Sequence, residues 1–280
     1  MSWLEALVLG LIQGLTEFLP ISSSAHLRVS AAFAGWDDPG AAFTAVTQIG
    51  TETAVVLYFR KKIGRILLAW FRSLRRPSTW RDDPDSRMGW LVIVGTMPIA
   101  ILGILFQDQI DHAFRDLRLI AFTLIFFGIL LGIADLVGYR FRTLDNHLTV
   151  PHGIWFGLAQ ALALIPGVSR SGGTITAGRL MGYKREEAAE YAFLLAVPAV
   201  FASGFYKLAD IGGADSPAWG PTIVATIVAF GVGYVVIAWL MAFIKKRSFM
   251  PFVVYRLALG ALILVLVGTG ALDPNAGPTS

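Results

Sequence analysis

Apolar residues fall into blocks at approximately 3–20, 41–59, 89–106, 119–138, 152–166, 188–208, 219–243 and 252–270. Blocks of roughly 17–25 residues are the length a helix needs to cross about 30 Å of hydrocarbon. Alternating ten-residue stretches, the mark of an outer-membrane barrel, are too few to build one. The pattern predicts an all-α, polytopic membrane helical bundle. Two of the blocks, the first and the one at 152–166, differ from the rest because each runs into proline and a cluster of serines.

The polar segments between blocks add an orientation. Residues 60–88 form a strongly basic stretch, predicted to be a cytoplasmic loop, with Arg60, Lys61, Lys62, Arg65, Arg72, Arg75, Arg76, Arg81 and Arg87. Arg140 and Arg142 mark a second basic segment, and Lys245, Lys246 and Arg247 a third. The segments at 107–118 and 209–218 lean acidic. Basic loops stay on the cytoplasmic side, so the acidic-leaning ones are placed outside. Block 41–59 then starts outside, and residues 1–40 must enter and leave on the external side. Residues 152–182 must likewise enter and leave from the cytoplasm. Both are therefore expected to be re-entrant hairpins, entering from opposite faces and meeting near the bilayer midplane, where irregular backbone is tolerated only inside protein walls.

An internal similarity agrees with this. Gly10–Ser24 aligned on Gly157–Ser171 matches Gly10/Gly157, Leu11/Leu158, Gln13/Gln160, Leu15/Leu162, Ser22/Ser169 and Ser24/Ser171. Ile93–Gly103 resembles Ile223–Gly233 in the same way. Opposite entry sides and shared sequence predict an inverted-topology duplication within a single integral membrane domain, residues 1–280. The first repeat covers approximately 1–138 and the second approximately 151–270.

Composition narrows the chemistry. Charged residues are 15% and hydrophobic residues 55% of the 280, against about 25% charged in soluble domains. Cys is absent, which removes disulfides and thiolate catalysis. Four His without paired spacing do not make a zinc site. The net charge of +4 sits in loops, as a membrane protein requires, and does not point to nucleic acid. Glu5 and Glu17 lie in the first apolar block with no basic stretch before it, so no cleavable signal peptide is expected. Trp3, Trp36, Trp80, Trp90, Trp155 and Trp219 lie near block ends, where an aromatic belt places them.

The first odd segment carries Gln13, Glu17, Pro20, Ser22, Ser23, Ser24 and His26. Gln13 and Glu17, four apart, share a helical face. A carboxylate at membrane depth is functional unless it snorkels to the interface as a mere cap. Pro20 stops the helix, and the serines supply hydroxyls and free N–H groups where a new helix begins, which favours an anion. The second segment runs from Pro166 to Thr174 with Ser169, Arg170 and Ser171 followed by two glycines. Arg170 offers a bidentate fork for phosphate, the glycines allow close approach, and the hydroxyls of Ser169, Ser171 and Thr174 complete a cradle. The bland alternative is a helix break with Arg170 snorkelling. A carboxylate, hydroxyls and imidazole on one hairpin and a guanidinium on the other suffice for phosphoryl transfer. Arg179, Glu186 and Glu187 are read as interfacial, and His112, His147 and His152 as solvated.

These segments resemble the undecaprenyl-diphosphate phosphatases of bacterial cell-wall lipid recycling, the bacitracin-resistance type. The first signature is matched by Gln13, Glu17, Pro20, Ser22, Ser23 and His26, and the second in full from Pro166 to Thr174. Gln48-Ile-Gly50 and the run Leu194 to Pro198 extend the likeness over essentially the whole chain. The resemblance implies hydrolysis of undecaprenyl diphosphate to the monophosphate and inorganic phosphate, in the bacterial inner membrane, with a site open to the external side. It implies dependence on a divalent cation, Mg2+ or Ca2+, with Glu17 and Gln13 binding the cation or positioning water. Arg170, Ser169 and Thr174 would hold the diphosphate, with Ser22, Ser24, Ser171 and Gln48 as further substrate contacts. The nucleophile is either Ser23, with His26 as its base, or His26 itself, and the Ser23–His26 spacing favours the first. Gln13 stands where many members have Glu. Glu52 stands where relatives carry an apolar residue, either as a compensating carboxylate or as a packing residue. The partners implied are the polyprenyl diphosphate, membrane lipids and no nucleic acid, with a homodimer as the candidate assembly. A transporter or flippase of a phosphorylated lipid or anion is the rival reading, because inverted repeats with broken helices also build carriers.

Overall fold

The computed structural model describes residues 1–76, 78–106, 116–138, 142–210 and 218–274. Residues 107–115, 139–141 and 211–217, with His112 and Arg140, lie outside the described residues. The described chain is helical, with one isolated bridge between Arg142 and Tyr183. The helices are α1 Trp3–Thr16, α2 Ser23–Ala34, α3 Gly40–Tyr58, α4 Arg60–Arg75, α5 Thr79–Asp82, α6 Pro84–Leu105 and α7 Leu117–Val137. They continue with α8 Leu144–His147, α9 Val150–Ala161, α10 Arg170–Leu180, α11 Arg185–Asp210, α12 Trp219–Ile244 and α13 Met250–Gly268.

Local chemistry sets the boundaries. Ser2 and Glu5 form a reciprocal capping box that opens α1. Asp83 caps α6 with Pro84 at its first position, and Thr149 caps α9 ahead of Pro151. Among the described residues, five helices are long and apolar enough to cross a membrane: α6, α7, α11, α12 and α13. Their outward faces carry exposed residues such as Phe122, Leu136, Ile227 and Val254, which acyl chains rather than water would cover. Helix α3, at 19 residues, has the length of a span but interrupts it with Gln48, Glu52 and threonines.

The first hairpin and its counterpart are too short to cross. At 1.5 Å per residue the 14 residues of α1 and the 12 of α9 reach about 21 and 18 Å, against about 30 Å of hydrocarbon. Both break at the predicted places, after Thr16 and after Leu164, and restart at Ser23 and Arg170. The restarts share one backbone device. Ser22 and Ser169 are the only described non-glycine residues with positive φ, at 73° and 71°. Each caps its helix by accepting from the N–H three residues on, Ala25 and Gly172. Each hydroxyl also lies 3.2 Å from the serine two residues on, Ser24 and Ser171.

Glycines in corresponding places let helices touch through their backbones. A Cβ on Gly10 would lie 2.6 Å from the carbonyl oxygen of Ala225 on α12, and one on Gly157 would lie 2.5 Å from that of Gly95 on α6. Ala225 and Gly95 are themselves paired in the alignment of Ile223–Gly233 with Ile93–Gly103. Thus α1 meets α12 as α9 meets α6. A core of Phe18, Val55, Tyr191, Phe193 and Leu240 packs around the breaks.

Several sequence expectations are corrected. The basic stretch after Phe59 is not a loop, since Arg60–Arg75 is a 16-residue helix. Arg179 is fully buried rather than interfacial, held by Asp135 at 3.2 Å and by the carbonyl of Gly138. Glu187 accepts from the N–H of Leu144, half-buried. His152 and His147 are not merely solvated. His152 bonds Tyr183 and Arg142 through its two ring nitrogens, and His147 Nδ1 accepts from the Thr143 N–H.

Candidate functional site

The two breaks meet at Glu17. Its Oε2 accepts from Gln13 Nε2 at 2.7 Å, one helical turn earlier, and from Ser23 Oγ at 2.6 Å across the first break. Its Oε1 accepts from Arg170 Nη2 at the start of α10. The carboxylate is thus shared by an amide, a hydroxyl and a guanidinium from three places in the chain. The hairpins are also joined through backbone, because Ser171 Oγ donates to the carbonyl of Leu19 at 3.2 Å. Glu52, buried on α3, brings Oε2 to 4.0 Å from Arg170 Nη2. Its Oε1 and Gln13 Oε1 are buried without a hydrogen-bond partner among the described residues.

Other expected residues are placed differently. His26 does not reach Ser23 as its base: Nδ1 bonds the carbonyl of Ser22 at 2.7 Å and Nε2 bonds the hydroxyl of Tyr255 at 2.7 Å. The His26 and Tyr255 rings stack with centroids 5.5 Å apart. The hydroxyl that touches a carboxylate is Ser23, so the group positioned to take its proton is Glu17. Thr174 turns its hydroxyl back into its own helix, onto the carbonyls of Arg170 at 2.5 Å and Ser171 at 3.3 Å, and is fully buried. Ser22 and Ser169 are occupied as caps. Ser24 and Gln48 stand away from Glu17. They line a separate cleft of about 230 Å³ with Arg28, Asp38 and Lys207. Arg28 and Asp38 pair there at 3.4 Å.

Arg256 is a residue holding the two breaks together that sequence reasoning missed. Fully buried on α13, it donates to the carbonyl of Pro20 at 2.9 Å in the first break and to Gly167 at 2.7 Å and Val168 at 3.1 Å in the second. It also reaches Leu124 and Thr123 on α7. A broken helix leaves carbonyls without intrahelical donors, and in a membrane each must find one. Arg256 supplies them for both breaks at once. The available signal was its position as a lone charge inside the block 252–270. Thr123 adds a second clasp, donating to the carbonyl of Pro166 at 2.7 Å.

The donor set bears on a cation. No group of three His, Cys, Asp or Glu comes together among the described residues, so an all-protein cage is absent there. The carboxylates of Glu17 and Glu52 beside Arg170, with Glu52 Oε1 orphaned, nevertheless fit a hard cation of the Mg2+ kind, which binds through one or two carboxylates with substrate phosphate completing its shell.

The chain is similar over most of its length to proteins of one family. The family model described as bacitracin resistance protein BacA matches residues 6–262. The chain is 63% identical to an undecaprenyl-diphosphatase of Thermobifida fusca, covering 99% of this chain and 94% of that one. It is 60% identical to undecaprenyl-diphosphatase 2 of Streptomyces coelicolor, with 99% and 98% covered. A third relative, an undecaprenyl-diphosphatase of Clavibacter michiganensis, is 60% identical over 97% of this chain.

Proposed function

Because the chain belongs to the bacitracin resistance protein BacA family, we propose that it is a multi-pass membrane phosphatase hydrolysing undecaprenyl diphosphate to undecaprenyl phosphate and inorganic phosphate. The observation that carries this reading beyond the relatives is the Ser23–Glu17–Arg170 constellation. A carrier needs a phosphate cradle but has no use for a hydroxyl aimed at a carboxylate. The transporter alternative is accordingly disfavoured.

The geometry supports the following chemistry. Ser23 Oγ attacks the terminal phosphorus and passes its proton to Glu17, with which it already shares a 2.6 Å hydrogen bond. The bond from that phosphorus to the bridging oxygen breaks, and undecaprenyl phosphate leaves. The departing undecaprenyl phosphate carries off the proton held by Glu17; water then attacks the phosphoserine and passes a proton to Glu17, which returns it to Ser23 Oγ as inorganic phosphate leaves. Arg170 moves from Glu17 to the phosphoryl oxygens and compensates their charge in the transition state. The N-terminal N–H groups of α2 and α10 add fixed partial positive charge. Glu17 and Glu52 would hold a divalent cation, Mg2+ or Ca2+, whose contribution when bound is neutralisation of diphosphate charge. Gln13, by donating to Glu17 Oε2, fixes the carboxylate's orientation.

The same reading takes the two broken hairpins as re-entrant and the site as open to the external side of a bacterial inner membrane. Their short helices support the first point. The charge pattern supports the second, since it has residues 1–40, which carry Glu17 and Ser23, enter and leave on the external side. A homodimer is the assembly to test by mass in detergent. The activity is tested by phosphate release from undecaprenyl diphosphate with detergent-purified protein. Glu17→Gln is expected to lower kcat by about a hundred- to ten-thousandfold. Wild-type release from no prenyl diphosphate, or a Glu17→Gln variant as active as wild type, overturns the reading.

A further inference from the structure

Helix α4 divides into three stripes along its 16 residues. Ile66, Ala69 and Ser73 are buried, with Trp70 half-buried beside them. Leu67, Phe71 and Leu74, one turn apart in succession, are about half exposed, as is neighbouring Leu68. Lys61, Arg72 and Arg75 are exposed on the remaining side and have no carboxylate partner among the described residues.

The buried stripe fixes where the helix lies. Arg65 pairs with Asp85 at 3.3 Å, Ile66 and Trp70 pack where Gly89 leaves room, and Trp90 Nε1 donates to Ser73 Oγ at 3.0 Å. All of these partners sit in the first turns of α6. Lys62 pairs with Glu190 in the second turn of α11. Helix α4 therefore packs against the N-terminal ends of two membrane spans. A helix so placed, with an apolar stripe next to a cationic one, sits at the level where acyl chains give way to headgroups.

We propose that α4 is an interfacial helix that binds an anionic lipid leaflet, with Leu67, Phe71 and Leu74 among the acyl chains and Lys61, Arg72 and Arg75 on the headgroup phosphates. Charge complementarity selects this occupant over a second copy of the chain, whose matching surface would present the same cations. The proposal does not depend on the catalytic reading.

The chain has no Cys, so single labels report cleanly. Full-length Phe71→Cys and Arg72→Cys variants, spin-labelled and reconstituted in equal parts phosphatidylcholine and phosphatidylglycerol, are exposed to oxygen and to a water-soluble nickel chelate. The label at 71 should collide with oxygen and the label at 72 with the chelate. A label at 71 open to the chelate, or shielded from both reagents by a second copy, overturns the proposal. A Lys61→Gln/Arg72→Gln/Arg75→Gln variant should bind phosphatidylglycerol roughly a hundredfold more weakly by native mass spectrometry, at about fivefold per cation. Its phosphate release should equal wild type, which establishes its fold. Unchanged phosphatidylglycerol binding by this folded variant also overturns the proposal.

Discussion

At the residue scale, the site depends on what each hydroxyl is already bonded to. Ser23 spends its proton on a carboxylate, whereas Thr174 spends its own on the helix that carries it. Thr174→Val, nearly isosteric, should therefore change kcat for phosphate release by less than tenfold, the cost of one neutral hydrogen bond being about 1 kcal/mol. Ser23→Ala should abolish it. The sequence made Glu17, Ser23 and Arg170 visible, since charge and hydroxyls beside a proline in an apolar block have few other uses. It also paired Ser23 with His26, whose ring nitrogens are bonded elsewhere in the structure. The spacing of Ser23 and His26 permits contact, but the imidazole is claimed by Tyr255, far along the chain, and by the carbonyl of Ser22. A competition of that kind is decided by packing between distant helices and leaves no trace in local spacing.

At the element scale, the two breaks are held open by strain and closed by borrowed donors. Positive φ at Ser22 and Ser169 costs on the order of 1–3 kcal/mol each, and persists because the surroundings fix it. Arg256 is part of those surroundings, bonded to the carbonyls of Pro20, Gly167 and Val168. Arg256→Met would leave carbonyls of both breaks without donors in a buried setting. We expect a loss of about 3–5 kcal/mol, read as a lower melting temperature in detergent, together with a fall in kcat. Arg256→Lys, which keeps the charge but cannot span both breaks, should restore little. The breaks were legible because Pro and Ser interrupt an apolar run. Helix α4 was not, because counting its cations hid the 3.6-residue period of Ile66, Ala69, Trp70 and Ser73 beneath them.

For the whole molecule, the contacts of Gly10 with Ala225 and of Gly157 with Gly95 repeat one packing solution at two aligned positions. The alignment alone was thin evidence, since apolar helices share residues by chance. The structure strengthens it by giving matched residues the same backbone role. Gly10→Val and Gly157→Val should each destabilise by about 1–3 kcal/mol, seen as loss of monodisperse protein on size exclusion, because backbone lies where the new side chain must go. Two hairpins of common design then differ only in what they present: Glu17 and Ser23 from one, Arg170 from the other. The substitution of Leu164 for a carboxylate at the position matching Glu17 leaves the second hairpin with the cation and no base.

That division of labour is tested most directly by quenching the enzyme in acid during turnover of undecaprenyl diphosphate labelled in its terminal phosphate and sequencing the labelled peptide. The account predicts acid-stable label on Ser23, absent from Ser23→Ala and accumulating with Arg170 intact. Acid-labile label on His26, or turnover that leaves no label on the protein under conditions that trap it, would contradict it.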